Sequence, residues 1–182
     1  MQRLLFILFI VFAFQGKAQE LSLQEKRVLE VINEFRSDPQ GFLEDKIMPY
    51  IRENNLTNNR YARSLIRDIK KLAPLPQFSI DSSLQEMAQE FAIKSGKRGW
   101  FGHHYYSQRF NEYGAHLEVN AENIQYGYAD PESIVIDLLI DEDLPSLGHR
   151  KNLMNKAYTV LGIGFAPHKS YDHVTVIAFG GY

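Results

Sequence analysis

Four short segments of this sequence concentrate side chains that could ligate a metal or move a proton. They are Gly102-His103-His104, Ala121-Glu122-Asn123-Ile124, Asp141-Glu142-Asp143 and Gly148-His149-Arg150-Lys151-Asn152-Leu153-Met154. Imidazoles and carboxylates together suit two chemistries, ligation of a divalent metal and general acid–base transfer. Other routes are closed: no Ser or Cys sits in a nucleophile elbow, no glycine-rich phosphate loop follows a strand pattern, and no His-Glu-x-x-His pair occurs.

The remaining polar residues have plainer readings. A single histidine is more often a surface or satisfied structural residue than a ligand, which is the expectation for His116, His168 and His173; the last two bracket a Lys-Ser-Tyr-Asp hairpin loop. The plainer reading of Glu122 is a carboxylate that hydrogen-bonds backbone in a fold-defining turn; Asn123 is expected to be structural rather than catalytic, and Arg150 and Lys151 to be solvated surface charges. The acids Asp141, Glu142 and Asp143 fall at the C-terminal end of a predicted helix, where the macrodipole opposes each by about 0.3–1 kcal/mol. A cation or protonated histidine nearby would offset that cost.

The elements that must position these residues can be read from periodicity. Ser22 with Glu25 forms a capping box ahead of Val28, Leu29, Ile32 and Phe35, which recur at helical spacing until Asp38-Pro39. Pro39 opens a second helix with Phe42, Leu43, Ile47 and Ile51 on one face, and a third helix is expected at about 61–71 before Pro74-Leu75-Pro76 forces an extended connection. Leu84, Met87, Ala88, Phe91 and Ala92 mark the clearest helix, with Ser82 and Gln85 as its cap and Gly96 as its stop. A strand is expected at 116–126, followed by a helix opened by Asp130-Pro131-Glu132. Along 158–166 and 174–179 both alternating faces are apolar or small, so the sheet must be covered on both faces. The fold class that follows is α+β, a three-layer α-β-α sandwich with a small, mainly antiparallel central sheet. The helices at about 37–75 carry too few apolar residues for a core of their own and are expected to elaborate the one domain, residues 19–182.

The order of motifs resembles the CAP superfamily of cysteine-rich secretory, antigen 5 and pathogenesis-related 1 proteins, the SCP-like extracellular domain. It rests on a His, then Glu-Asn-Ile, then Gly-His-Arg-x-Asn-Leu, then the Val160-x-Gly162-x-Gly164 strand, with Asn33 and Arg36 in the place of the family's Asn-x-x-Arg. The resemblance covers nearly the whole chain after residue 18, as a cysteine-free, bacterial-type member. It implies an α-β-α sandwich whose central cleft holds two His and two acids. Carried over, the metal ligands are His103 and His149, with His104 as the alternative to His103, and the cleft acids are Glu122 and Asp141. The ion expected is Zn2+ or another divalent metal. Asp141 departs from the Glu that family members commonly carry about three positions after a helical Trp, and it reaches one methylene less far.

Composition narrows the setting. A basic start, an apolar run from Leu4 to Phe14, and Gly16 and Ala18 at the −3 and −1 positions read as a signal peptide over 1–18. Eleven apolar residues make a helix of roughly 16 Å, too short to stay as a membrane span. Cleavage takes 20 basic and 22 acidic residues to 18 and 22, leaving a net charge of −4 with no basic block and no case for nucleic acid. A secreted or periplasmic monomer without stable membrane insertion is expected. Its function is then that of a non-enzymatic binding or interaction module, its cleft holding a divalent metal or a small apolar ligand and its partner a small molecule, lipid or protein. A metal-dependent hydrolase with Glu122 as general base is the enzymatic alternative, and a purely structural polar tetrad is the third.

Overall fold

The computed structural model describes residues 20–182; the signal peptide expected at 1–18 lies outside them. Helix α1 (Leu23–Ser37) opens on the capping box: the Ser22 hydroxyl accepts the Glu25 N–H, and the Glu25 carboxylate accepts the Ser22 N–H at 2.7 Å. Its inner face, Val28, Ile32 and Phe35, is fully buried. Asp38 then caps α2 (Pro39–Phe42), which runs through a π-helical turn at Leu43–Ile47 into α3 (Met48–Glu53). Leu43, Ile47 and Ile51 recur every four residues, wider than the α-helical repeat, and the π turn absorbs the excess so that all three face the core. Asn59 caps α4 (Arg60–Ile69), one residue earlier than the spacing indicated and ending two earlier.

The sheet has the order β1-β3-β4-β2, with β1 (Ser79–Ile80) parallel to β3 (Val160–Pro167), and β4 (His173–Gly181) antiparallel to both β3 and β2 (Val119–Tyr126). On one face lie α1, α7 (Pro131–Ile140) and α8 (Gly148–Met154), joined in one apolar cluster with α2 to α4; on the other lie α5 (Ser82–Arg98) and α6 (Tyr106–Tyr113). Alternation along the strands sorts the side chains: Leu161, Ile163, Ile177 and Phe179 join the first cluster, and Val160, Ala166, Val174, Val176 and Ala178 the second. This is the α-β-α sandwich. Each fully buried Leu, Ile or Phe contributes about 1.5–3 kcal/mol, which lets a chain without cysteines hold together.

Three local readings are corrected. The N-cap of α5 is Asp81, not Ser82, because its carboxylate reaches the Leu84 N–H at 2.9 Å. Gln85 serves the sheet instead: its amide accepts the Ile163 N–H at 2.8 Å and donates to the Ile163 carbonyl at 2.7 Å, and Gln89 does the same with Phe165 one turn later. Gly96 does not stop α5; Gly99, at φ +68, does. Gly96 is a point of close approach, where a Cβ would sit 2.0 Å from the Pro167 carbonyl oxygen.

The Val160-x-Gly162-x-Gly164 pattern has the same cause. A Cβ on Gly162 or Gly164 would lie 2.1 Å from the backbone of Leu84 or Ala88, so α5 rests directly on the glycine stripe of β3. Gly162→Ala is therefore expected to lower the unfolding free energy by about 1–3 kcal/mol, read from urea denaturation. Alanine tolerated there within about 0.5 kcal/mol would contradict that packing.

Candidate functional site

The site forms around β2, an edge strand whose successive side chains go to opposite faces. Glu122 turns toward α5 and α6, and Asn123 toward α8, where it accepts from Asn152 and donates to the His149 carbonyl. Two imidazole–carboxylate pairs result. His103 Nδ1 lies 2.8 Å from Glu122 Oε1, and His149 Nδ1 lies 2.9 Å from Asp141 Oδ1. A carboxylate only accepts, so in both pairs Nδ1 carries the proton and Nε2 keeps the ring's lone pair. The His103 side chain is 47% exposed and that of His149 24%, while both acids are buried. Among the described residues the two pairs share no hydrogen bond; their connection runs through Asn123 beside Glu122. Nor do any three His, Asp or Glu side chains among the described residues group closely enough to hold a metal ion. His104 turns away from Glu122 and stacks on Trp100 at 4.9 Å.

Glu122 has a second partner that periodicity did not flag. Arg109 of α6 clamps it with both terminal guanidinium nitrogens, at 2.5 and 2.9 Å, while lying 3.7 Å over the Phe91 ring. Burial pushes the Glu122 carboxyl up, but the hydrogen bonds and charges of His103 and Arg109 outweigh it and hold the carboxyl below its ordinary value. Helix α6 went unpredicted because Tyr105, at φ +57, precedes it without a side-chain cap; the surviving signal was Tyr106, Phe110 and Tyr113 at i, i+4, i+7.

Asp141 is not a penalty at a helix end. It terminates α7 at φ +57 and aims its carboxylate into the start of α8, accepting the backbone N–H groups of His149 at 2.9 Å and Arg150 at 3.3 Å. One acid thus closes one helix, opens the next and orients the imidazole. Positive φ recurs around it at Asp143 and Leu147, local strain of the kind that collects at functional sites.

Arg150 is a correction. It is buried, not solvated, and its guanidinium donates to the carbonyls of Leu139, Ile140 and Tyr61, to Ser64 and to Asp68. Five acceptors converging from α4 and α7 explain why a residue that reads as surface charge is inside. Lys151 is exposed as expected. Arg36 is equally buried, bridging four carbonyls between Pro76 and Tyr158, and burial pulls its guanidinium down to about 10, still charged at neutral pH. Asn33 pairs with the backbone of Phe78 in both directions.

The other histidines lie outside the pairs. His168 is buried between the Trp100 carbonyl and the Ser170 N–H, His116 pairs with Asp81, and His173 stacks on Phe165. Asp137 joins the Asp141 side of the site, where burial pushes its carboxyl up against the smaller opposing effects of Gln125 and His149. Its place on α7, four residues before Asp141, was the sequence signal.

Comparison with known proteins bears on this geometry. The model of the cysteine-rich secretory protein family matches residues 29–179. Among solved structures, venom allergen-like protein 4 of Schistosoma mansoni is 15% identical with a TM-score of 0.54, over 88% of this chain and 90% of that one. A cysteine-rich secretory protein of Staphylococcus aureus is 18% identical with a TM-score of 0.50, over 87% of this chain but 39% of its own. An outer surface protein of Borrelia burgdorferi is 24% identical with a TM-score of 0.48, over 66% and 88%. Among curated proteins nothing matches significantly.

Proposed function

The chain belongs to the cysteine-rich secretory protein family, the CAP family, and from that premise we propose that it is an exported, non-enzymatic binding module whose cleft presents two oriented imidazoles to a ligand. The observation that carries this is the pairing of each Nδ1 with a buried carboxylate. That arrangement fixes tautomer and ring orientation and leaves Nε2 as the ring's free acceptor, as carboxylates behind metal-bound histidines do. Glu122 and Asp141 are then orienters rather than ligands. Zinc suits the donor chemistry, but with both acids committed it would find only His103 and His149, fewer than the three or four protein ligands of an ordinary zinc site. A bound ion would complete its shell with solvent or with a ligand's own donors.

The hydrolase reading fares worse. A general base needs a free lone pair and a carboxyl drawn up toward working pH, whereas Glu122 is clamped by Arg109 and His103 and drawn down. Export is supported by the residue 1–18 pattern, and no helix among the described residues is long and apolar enough to cross a membrane.

The test is zinc titration calorimetry on the parent and on His103→Ala, His149→Ala and His116→Ala. Each cleft variant is expected to weaken binding at least about tenfold and the His116 variant to leave it unchanged. Affinity should fall as the solution is acidified, because imidazole must be neutral to ligate. Cleft variants that bind zinc like the parent would sink the reading in favour of a structural tetrad.

A further inference from the structure

The C-terminal end of α5 gathers apolar surface that the fold leaves uncovered. Past Gly99 the chain carries Trp100, half-buried, then Phe101 and Tyr105, which are 66% and 55% exposed. Tyr171, 46% exposed, comes in from the β3–β4 hairpin, its ring centre 5.9 Å from that of Phe101. With Ile93 near the end of α5, four of the eight exposed large apolar side chains among the described residues belong to these segments, a concentration that marks an interaction surface. The frame beneath them is fixed. The Lys169 N–H donates to the Gly96 carbonyl at 3.0 Å, tying the hairpin tip to the helix, and His168 Nε2 and the Ser95 hydroxyl hold the Trp100 carbonyl at 2.9 and 3.1 Å.

The same corner is basic. Lys94, Lys97, Arg98 and Lys169 are exposed, and none of them forms an ion pair among the described residues. The Arg98 guanidinium lies 4.7 Å from the centre of the Trp100 ring, and the Lys94 ammonium 5.9 Å from Trp100 and 6.0 Å from Tyr105, so charge and aromatic surface interleave. Asp172 is the acid of the hairpin tip; Glu90 stands a turn before Lys94, where Tyr113 donates to it.

We propose that this corner docks the protein on an anionic lipid surface, with Phe101, Tyr105 and Tyr171 entering the headgroup layer and the four cations on its phosphates. Aromatic side chains settle at that depth, and lysine and arginine add an attraction that decays within about 10 Å at 0.1 M salt. So short a range lets a local cluster prevail over the net negative charge of the whole chain. A soluble polyanion would use the cations and leave the rings in water, and an apolar protein face would strand the cations. The docking is peripheral and uses neither imidazole of the cleft.

Trp100 is the one tryptophan of the chain, so its fluorescence reports on this corner alone. The probe is vesicles of phosphatidylglycerol and phosphatidylcholine in equal parts, with pure phosphatidylcholine vesicles and dextran sulfate as parallel arms, in about 0.1 M salt. The mixed vesicles are expected to sediment the protein and shift Trp100 emission to the blue, saturably, and pure phosphatidylcholine to bind at least about tenfold more weakly. Lys97→Gln and Lys169→Gln should each weaken binding about fivefold, the worth of one cation at such a surface. Phe101→Ala should weaken it about tenfold, with the melting temperature within about 2 °C of the parent because the ring is exposed. Arg63→Gln, an exposed cation of α4 on the other side of the sheet, should bind as the parent does. So should His149→Ala, which separates this surface from failure of the two-imidazole reading. No sedimentation with the mixed vesicles overturns the proposal. Equal binding to both kinds of vesicle does the same, as does parental binding by the Phe101 and both lysine variants, or a blue shift with dextran sulfate as large as that with vesicles.

Discussion

Arg150→Met is expected to lower the unfolding free energy by about 3–5 kcal/mol, with a fall in melting temperature of about 10 °C for a chain of this size. Methionine fills much of the space, so cavity formation is not the main effect. The loss comes from the acceptors: the carbonyls of Leu139, Ile140 and Tyr61 stay buried when their donor is gone, and Ser64 and Asp68 lose their link to α8. Arg150→Lys keeps the charge but has one nitrogen where the guanidinium fork has three, so it should recover less than half of the loss. Thermal melts followed by circular dichroism on the three proteins decide this, and a fall under about 3 °C for the methionine variant would show that the carbonyls find other donors.

The second large effect is expected at Glu122. Glu122→Gln leaves the Arg109 guanidinium, whose side chain is only 12% exposed, against a neutral amide, a loss of about 3 kcal/mol at neutral pH. It should also change the acid response. The Glu122 carboxyl lies below its ordinary value of 4.5 in the folded protein, so the unfolded chain takes up the proton first as pH falls. The stability it supplies is fully present above that ordinary value and is lost as pH drops through the lower, folded value. The parent should therefore lose stability more steeply than the glutamine variant between about pH 5 and pH 3, measured as urea midpoints across that window. Parallel curves would mean that other carboxylates carry the acid sensitivity. The same variant frees His103 from its charged partner, so zinc affinity should fall by about 10- to 100-fold even though no proposed ligand is removed.

How far the sequence carried this picture differs by element. Helices with a cap and a strong repeat were legible: the Ser22–Glu25 box and the Asp130-Pro131 start stand where the residues put them. So was the two-faced sheet, because strands apolar on both sides have few other places to go. Helix α8 and helix α6 were not, being short, without a capping side chain on the N-cap residue itself and entered through αL residues. Among the site residues, both histidines and both acids were named from motif order, and the structure pairs His103 with Glu122 and His149 with Asp141. What motif order could not supply was the third party to each pair. Arg109 and the α8 backbone come from elements whose placement is a tertiary outcome, and Arg150 misled because a charge buried among carbonyls looks like a charge in water until those carbonyls are located.

The two glutamines of α5 decide how molecules of this protein can meet. A sheet edge with unspent backbone groups invites a foreign strand, and proteins without covalent staples are the more exposed to that path to fibrils or swapped dimers. Beyond the short β1, the outer edge of β3 is already spent: Gln85 and Gln89 hold the backbone groups of Ile163 and Phe165 as a neighbouring strand would. Polymerisation through that side is closed by two amide side chains. The β2 edge remains, and β2 carries Glu122 and Asn123, so a strand added there would sit beside the residues that hold His103 and His149 in place.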